Sequence, residues 1–290
     1  MNKTFTYILS KIKNEFTLSR IKEIILIRIM DLPHKLTWIM PLSKSKKNKI
    51  NLKKYKDLHK GQRCFIIANG PSLKKMDLAP LKNEITIGMN RVDLLKDKIG
   101  FLPTYFAVVD LDIMHDQFHK EFSKINGPVK FFNWNRRKYY MNDNDILFFK
   151  EKYFPHFSTD LTKTVYSGHS VTNICIQIAF FMGFKDVYLV GKDHSYTIKG
   201  TPGKKIKYKG TEKDHFSSKY YKKEEFYRIP DYKGEELAYT LAKETFYKYN
   251  RNIYDATIDG KLNIFKKVNY LKLFNDINKD ESKKNENKNI

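Results

Sequence analysis

The most constraining feature of the sequence is a succession of short apolar runs beyond Lys60, separated by turn residues and helical stretches. Several of these runs lack polar alternation, which is typical of strands buried on both faces. This order predicts an α/β, Rossmann-like fold with a mostly parallel sheet and helices on both faces. The predicted strands cover 63–68, 84–88, 105–109, 129–133, 186–190 and 251–255, and the clearest predicted helices cover 170–182 and 234–250.

The chain divides into three parts. Its 290 residues, of which 41% are hydrophobic, supply enough core for one large domain with appendages. We predict a basic amphipathic helical extension and linker over 1–59, a single catalytic domain over 60–274 and a disordered Asn/Lys-rich tail over 275–290. Cys64 and Cys175 lie in apolar runs and match no metal-binding spacing, so we expect reduced core residues and a cytoplasmic protein.

Positive charge is concentrated before the catalytic domain. The net charge is +23, and the first 60 residues hold fifteen Lys or Arg against four Asp or Glu. Such a balance suits nucleic acid, an anionic membrane surface or an acidic substrate. No recognisable nucleic-acid-binding motif accompanies the charge, so we do not expect nucleic acid to be a partner.

The first 42 residues alternate apolar and basic positions with the spacing of amphipathic helices. The apolar run over 24–30 is interrupted by Arg28 and is too short to span a bilayer. Two interpretations stay open: the extension packs on the domain, or residues 1–58 form a peripheral anchor on the anionic inner face of the cytoplasmic membrane. We predict a lysine-rich linker over 43–58.

The first polar motif, Asn69-Gly70-Pro71-Ser72-Leu73, follows the first predicted strand. In parallel α/β sheets, ligands bind beyond the carboxyl ends of the strands. A glycine there permits close backbone approach, and Pro71 with Ser72 can start a helix whose free N–H groups would face a phosphate. An ordinary strand-to-helix turn is the alternative.

The next two strands also end in polar residues. Asn90 follows the second strand and would hydrogen-bond a base or ribose. Asp110 and Asp112 follow the third strand, where they would either bind a metal or cap the next helix.

Two further polar clusters complete the candidate site. Ser167, Gly168 and Ser170 open the strongly apolar helix over 170–182, whose N-terminus can hold an anion. The fifth strand leads into a dense polar cluster, Gly191-Lys192-Asp193-His194-Ser195-Tyr196.

The last long loop carries a candidate base. A histidine beside a carboxylate, as His215 is beside Asp214, can act as a general base near neutral pH. We predict a solvated loop for the tyrosine-rich stretch over 208–232. The alternative is a mobile lid that closes over the substrate.

Taken in order, these motifs resemble those of two related families. The set from Asn69 to His215 is similar to that of the bacterial lipooligosaccharide sialyltransferases. It resembles more closely the MptE-like family, named for the archaeal hydroxymethylpterin pyrophosphokinase, which includes motility-associated flagellin glycosylation proteins. The resemblance covers roughly Lys60 to Phe274.

The sialyltransferase likeness implies residue roles. It places Asn69, Gly70 and Ser72 at the nucleotide and phosphate and makes His215 the base that takes the acceptor proton. The leaving-phosphate tyrosine of that family falls on Ser195, with Tyr196 one residue later. We therefore assign catalytic roles to His215, Asp193 and His194, and nucleotide or phosphate binding to Asn69, Gly70, Pro71, Ser72, Asn90, Asp110, Ser167, Gly168, Ser170 and Tyr196.

The preferred function is a glycosyltransferase of surface glycan biosynthesis, such as lipopolysaccharide or capsule. It would use a CMP-linked acidic sugar such as sialic acid, a glycan or glycolipid acceptor and no cofactor. The alternative is a pyrophosphokinase that moves an ATP pyrophosphoryl group to a pterin alcohol and needs Mg²⁺ near Asp110, Asp112 and Asp193. A third reading is a non-catalytic basic module that binds a membrane or nucleic acid.

Overall fold

The computed structural model describes Thr6 and residues 18–140, 143, 145–210 and 213–274. Within this part of the chain, nine strands form one parallel sheet and two form a separate antiparallel pair, β8 and β9. The strands are β1 Arg63–Ile67, β2 Thr86–Met89, β3 Tyr105–Val108, β4 Val129–Asn133, β5 Ile146–Lys152, β6 Thr164–Tyr166, β7 Asp186–Val190, β8 Lys205–Lys207, β9 Phe226–Arg228, β10 Asn252–Asp255 and β11 Lys266–Lys267. The predicted α/β fold with a mostly parallel sheet is confirmed.

Six helices of the described residues surround this sheet. They are α1 Leu18–Ile39, α2 Ser43–Lys53, α3 Lys96–Ile99, α4 Asp116–Ser123, α5 Val171–Phe181 and α6 Tyr232–Lys248. Two of them, α5 and α6, confirm the helices predicted over 170–182 and 234–250. The start of α5 is fixed by Ser170, whose hydroxyl accepts a hydrogen bond from the Thr172 N–H at 3.2 Å.

Neighbouring residues of β3 reveal that both faces of the sheet are covered. Successive strand residues point to opposite faces. Tyr105 packs against Tyr55, just after α2, with ring centroids 6.3 Å apart. Phe106 packs on the other face against Phe122 of α4 at 5.7 Å. At β3 the sheet is therefore covered on both faces, which explains the continuous apolar runs of its central strands.

The order of strands creates a single reversal. The sheet reads β11-β10-β7-β1-β2-β3-β4-β5-β6, so the chain builds one side from β1 to β6 and then returns to pair β7 with the other edge of β1. At such a switch point the loops after two adjacent strands diverge and leave a crevice. The loops after β1 and β7 are those of the predicted Gly-Pro-Ser and Gly-Lys-Asp motifs.

The prediction of a linker over 43–58 is wrong for α2. Leu52 is fully buried, and the Asn48 amide exchanges two hydrogen bonds of 2.8 Å with the backbone of Phe148 in β5. This helix is part of the domain, because its polar side chain satisfies backbone groups that would otherwise be unpaired.

Helix α1 lies within the predicted amphipathic extension, whereas residues before it, other than Thr6, lie outside the described part. Trp38 of α1 is buried and stacks edge-on against Trp134, with centroids 5.3 Å apart. Of the helices in the described ranges, none has the length and apolar composition needed to cross a bilayer. The predicted disordered tail over 275–290 lies outside the described residues.

The two cysteines and four tyrosines of the stretch over 208–232 are part of the core. Cys64 and Cys175 are free and fully buried, as predicted for core residues. The solvated loop predicted over 208–232 is wrong for four of its five tyrosines, because Tyr208, Tyr220, Tyr221 and Tyr227 are buried. The Tyr221 ring lies 5.9 Å from Tyr208 and 5.8 Å from Tyr227, so these tyrosines pack together within the hydrophobic core.

Candidate functional site

A cavity of about 110 Å³ lies at the switch point. Its wall is built by the loops after β1, β2 and β7, by the start of α5 and by the segment that carries His215. Eight of the residues predicted for the site line this cavity together: Asn69, Gly70, Asn90, Ser170, Asp193, His194, Tyr196 and His215.

The loops after β1 and β7 are held together by backbone and carboxylate contacts. The Gly70 N–H donates to the Gly191 carbonyl at 2.9 Å. A Cβ at position 70 would lie 1.8 Å from Asp193 Oδ2, so only glycine permits this approach. Asp193 in turn accepts from the Ser72 N–H at 3.1 Å and from the Ser72 hydroxyl at 2.7 Å. We call these contacts the loop clamp.

The loop clamp corrects the prediction made for Ser72. Its N–H does not face a phosphate, because the protein supplies its own anion in the carboxylate of Asp193. Pro71 does start a helix, but it is a short 3-10 helix over Pro71–Lys75, and neither Pro71 nor Ser72 lines the cavity. Burial raises the pKa of Asp193, and the hydrogen bonds from Ser72 oppose that rise.

Two asparagines that line the cavity carry buried acceptor atoms. The Asn69 amide nitrogen donates to the Met89 carbonyl at 3.1 Å, which fixes the orientation of the amide. Its Oδ1 and the Oδ1 of Asn90 are both buried and accept no hydrogen bond from the described residues. Asn90 adopts a left-handed backbone with φ of 47°, an uncommon conformation for a residue other than glycine. An unsatisfied buried acceptor costs about 1–3 kcal/mol, so a ligand that donates here would recover that cost.

Lys192, a lining residue in the loop after β7, forms a buried ion pair. The Lys192 ammonium lies 2.9 Å from the Glu235 carboxylate of α6, and both side chains are about 95% buried or more. Burial opposes the charged form of Lys192, but Glu235 holds the pKa of the ammonium well above its ordinary value. Burial likewise acts to raise the pKa of Glu235, but Lys192 outweighs it and lowers that pKa. Both groups are therefore charged at neutral pH.

The Tyr196 hydroxyl accepts a hydrogen bond from Lys192 at 3.2 Å. Burial and the nearby Glu235 carboxylate raise the pKa of this phenol, which keeps the hydroxyl neutral and able to donate. Tyr239, whose ring lies 5.5 Å from the Lys192 ammonium, donates from its hydroxyl to the Ser170 hydroxyl at 2.7 Å and steadies the N-terminus of α5.

The two candidate histidines lie in different surroundings. His194 is buried, with Nε2 3.1 Å from Glu236 Oε1 and Nδ1 3.6 Å from Glu235 Oε2. His215 is partly exposed and stacks face-to-face on Tyr220, with centroids 3.8 Å apart. The adjoining Phe216 N–H donates to the Asn69 carbonyl at 2.9 Å, which ties the His215 segment to the loop after β1.

Ser167, Gly168 and Asp110 lie outside the cavity wall. Ser167 is buried, and a Cβ on Gly168 would lie 2.3 Å from that of Ala238, so Gly168 permits close packing of α6. Asp110 accepts a hydrogen bond from the Ile113 N–H at 3.1 Å, which is the capping alternative considered for it. A binding role for these three residues stays a prediction and requires a ligand that extends beyond the cavity.

The carboxylates considered for Mg²⁺ do not fit a metal site. Arg228 lies 2.7 Å from Asp112 and 3.7 Å from Asp110, and Lys205 lies 3.1 Å from Asp112. Cations of the protein thus already neutralise the pair. Over the described residues, no group of three or more His, Cys, Asp or Glu is arranged to hold a metal ion.

Comparison with known proteins places the chain in a family. A family model described as 6-hydroxymethylpterin diphosphokinase MptE-like matches residues 42–199, more than half of the chain. The chain belongs to the MptE-like family. A search of curated proteins gives no significant match.

The range matched by the family model, residues 42–199, includes most of the residues that line the cavity. It begins just before α2, which agrees with the packing of that helix on the domain, and it runs past Tyr196. His215 and Glu235 lie beyond its end. The resemblance to the MptE-like family predicted from the motifs is therefore confirmed, whereas the role given to His215 stays a prediction.

The local sequence indicates no role for Lys192 or Glu235. Lys192 stands in the predicted polar cluster after the fifth strand, but its local sequence does not distinguish it from a solvated lysine. Glu235 lies 43 positions later, in the first turn of α6. A carboxylate in the first turn is explained by the helix dipole alone, so only the fold reveals the pair.

We predict that Lys192→Met destabilises the MptE-like protein by about 3–5 kcal/mol at neutral pH, because the buried Glu235 carboxylate then loses its ammonium partner and keeps only the 3.6 Å contact with His194. Without its partner, burial would raise the pKa of Glu235 above the value in the unfolded chain. The deficit relative to wild type should therefore shrink as the pH falls and Glu235 takes up a proton. Urea unfolding at neutral and mildly acidic pH measures both effects.

The matched control is Lys75→Met, which removes a lysine from an exposed pair with Asp259 at 2.8 Å. Exposed pairs contribute about 0–1 kcal/mol, so this variant should unfold nearly as the wild type does. Equal unfolding midpoints for the two variants would contradict the account of the buried pair.

Proposed function

We propose that the chain transfers a sugar from a nucleotide-activated donor to a hydroxyl of a glycan or glycolipid, in surface glycan synthesis such as that of lipopolysaccharide or capsule. A CMP-linked acidic sugar is the proposed donor. The observation that carries the proposal is one cavity in which a buried lysine, a helix N-terminus and a histidine converge.

Each of these groups supports one part of the transfer. The bond between the anomeric carbon and the donor phosphate breaks, and the acceptor oxygen forms a new bond to that carbon. The acceptor proton passes to His215, and the phosphate leaves with the electron pair of the broken bond. The Lys192 ammonium, the Tyr196 hydroxyl and the N-terminus of α5 stabilise the negative charge of that phosphate.

The base of the nucleotide is proposed to lie against Asn69 and Asn90. Their buried Oδ1 atoms need donors, and the exocyclic amino group of cytosine supplies two N–H groups. Adenine and pterin also carry amino groups, so this wall selects an amino-bearing ring. The choice of cytidine rests on the resemblance to the sialyltransferases.

The volume of the cavity sets a condition on binding. Ligand pockets usually measure roughly 300–1,000 Å³, several times the about 110 Å³ found at the switch point. A nucleotide sugar would therefore have to displace part of the wall. The segment with His215 and Tyr220 is the proposed moving part, because it crosses the cavity as a connection between strands and helix rather than as part of the sheet.

The family description favours a second candidate, a diphosphokinase that acts on 6-hydroxymethylpterin. That reaction would need Mg²⁺ beside the phosphates of ATP. The cavity carboxylates are engaged by the protein itself: Asp193 accepts from Ser72, and Asp214 accepts from the Thr197 N–H at 2.7 Å. This engagement favours the glycosyltransferase over the diphosphokinase.

The two candidates predict different nucleotide binding. We expect CMP, with EDTA present, to raise the melting temperature by about 2–4 °C at a concentration well above its Kd. UDP, GDP and ATP should produce smaller shifts. A thermal-shift screen against the four nucleotides, each with Mg²⁺ and with EDTA, measures this.

In the same screen, Asn69→Ala/Asn90→Ala should lose the CMP shift, and Asn252→Ala, at the start of β10 and outside the cavity, should keep it. Stabilisation by ATP only with Mg²⁺ would establish the diphosphokinase instead. No shift with any nucleotide, together with salt-dependent binding to oligonucleotides, would favour the non-catalytic module.

The base assignment has its own test. We expect His215→Ala to lower the rate of CMP release from a CMP-linked sugar with acceptor by about 10²–10⁴-fold while the CMP thermal shift is retained. His194→Gln removes the competing histidine and should have the smaller effect, because Glu236 and Glu235 already engage that ring. The reverse order of the two rates would assign the base to His194.

A further inference from the structure

The helix α1 is attached to the domain through its more polar side. Asp31 lies 2.5 Å from the Lys150 ammonium of β5 and accepts from the Asn135 amide at 2.8 Å. The Thr37 hydroxyl accepts from the Trp134 indole N–H at 3.1 Å, and Trp38 is buried beside the same indole. Asp31 and Trp38 are seven residues, about two helical turns, apart, so they lie on the same side of α1.

The opposite face of α1 is apolar and open to solvent. Ile25, Ile29, Leu32, Leu36 and Ile39 recur every three or four residues, and each side chain is between 49% and 62% exposed. We call these five residues the α1 stripe. Leu26 and Met40 flank it and are about half exposed, and Ile27 and Met30, on the other side of the helix, are exposed as well.

This arrangement is the reverse of an ordinary surface helix, whose apolar face is turned toward the core. The α1 stripe extends over about 21 Å at the rise of an α-helix. A continuous exposed apolar surface of this length marks an interaction site rather than scattered surface residues.

Exposed basic residues beside the α1 stripe indicate the kind of partner that covers it. Arg28 and Lys35 are exposed on α1, and Lys44, Lys46 and Lys47 are exposed on the adjoining α2. The whole chain carries a net charge of +23. A second copy would bring the same positive charge to the contact, whereas an anionic lipid surface is attracted by it.

Helix α1 is attached to the domain near the edge of the sheet that carries the cavity. The contacts of α1 with Trp134 and Asn135 are made to the short helix Trp134–Tyr140, which directly follows β4. That helix stands at the carboxyl edge of the sheet, the edge at which the cavity opens between β1 and β7. The attachment of α1 therefore lies at the same edge of the sheet as the cavity.

We propose that α1 binds in the plane of an anionic membrane surface, with the α1 stripe inserted among the lipid headgroups and the lysines of α1 and α2 against lipid phosphates. The proposal does not depend on the reaction proposed above. An interfacial helix with an apolar face and flanking basic residues has the chemistry required.

The test is sedimentation of the full chain with vesicles of phosphatidylcholine, with and without phosphatidylglycerol, at low and high NaCl. We expect binding to the vesicles that contain phosphatidylglycerol and loss of most of it in high salt. Ile29→Ser/Leu32→Ser/Leu36→Ser should weaken the partition coefficient by about tenfold.

The matched control is Leu58→Ser/Tyr247→Ser/Leu271→Ser, which removes exposed apolar side chains away from α1 and should bind like the wild type. Melting temperatures close to wild type in both variants would show that the fold is intact. Equal binding by the two variants would overturn the proposal, as would the absence of binding to any vesicle. A dimer in sedimentation equilibrium that the α1 stripe variant dissociates, without vesicle binding, would assign the surface to a second copy instead.

Discussion

The carboxylate of Asp193 accepts two hydrogen bonds from Ser72, and this contact joins the loops that diverge at the switch point. It holds together the two loops that form one side of the cavity. Gly70 can approach Asp193 because it lacks a side chain, and Leu73 packs where a Cβ of Gly191 would stand. The Asn69 carbonyl then anchors the segment that carries His215. A change in the loop clamp would thus move acceptor atoms, ammonium and histidine together.

The loop clamp also determines which charged groups near the cavity are already occupied by other parts of the protein. Asp193 occupies the start of the 3-10 helix, so the donors left for an anion are the N–H groups at the start of α5 and the Lys192 ammonium, which is paired with Glu235. Lys192 is kept charged by Glu235 despite full burial. A preorganised buried cation that needs no metal is suited to a phosphate leaving group, since no reorganisation is required during the reaction.

The hydrophobic pattern of the sequence predicts the strands whose residues form continuous apolar runs. The central strands β1, β2, β3, β4, β7 and β10 were predicted because continuous apolar runs follow directly from burial on both faces. β5 was missed because its second half reads Lys-Glu-Lys, typical of a surface. Lys150 is nevertheless buried, since Asp31 pairs with it from 119 positions away.

The same limit applies to the candidate site. The motifs predicted which loops meet, because parallel strands bring their carboxyl ends to one edge of the sheet. They could not predict that the Ser72 N–H is satisfied by a residue 121 positions later, or that Lys192 is paired. Partners so distant in sequence leave no periodic or compositional signal near either residue.

The central claim is that the cavity at the switch point binds a nucleotide with its base at the asparagines and its phosphate at the lysine. Diffraction from crystals of the protein soaked in CMP tests it most directly. We predict difference density with the cytosine amino group within hydrogen-bond distance of Asn69 Oδ1 or Asn90 Oδ1, and with the phosphate beside Lys192 and the start of α5. Nucleotide density beside Arg228 and Asp112, with the switch-point cavity empty, would contradict the account.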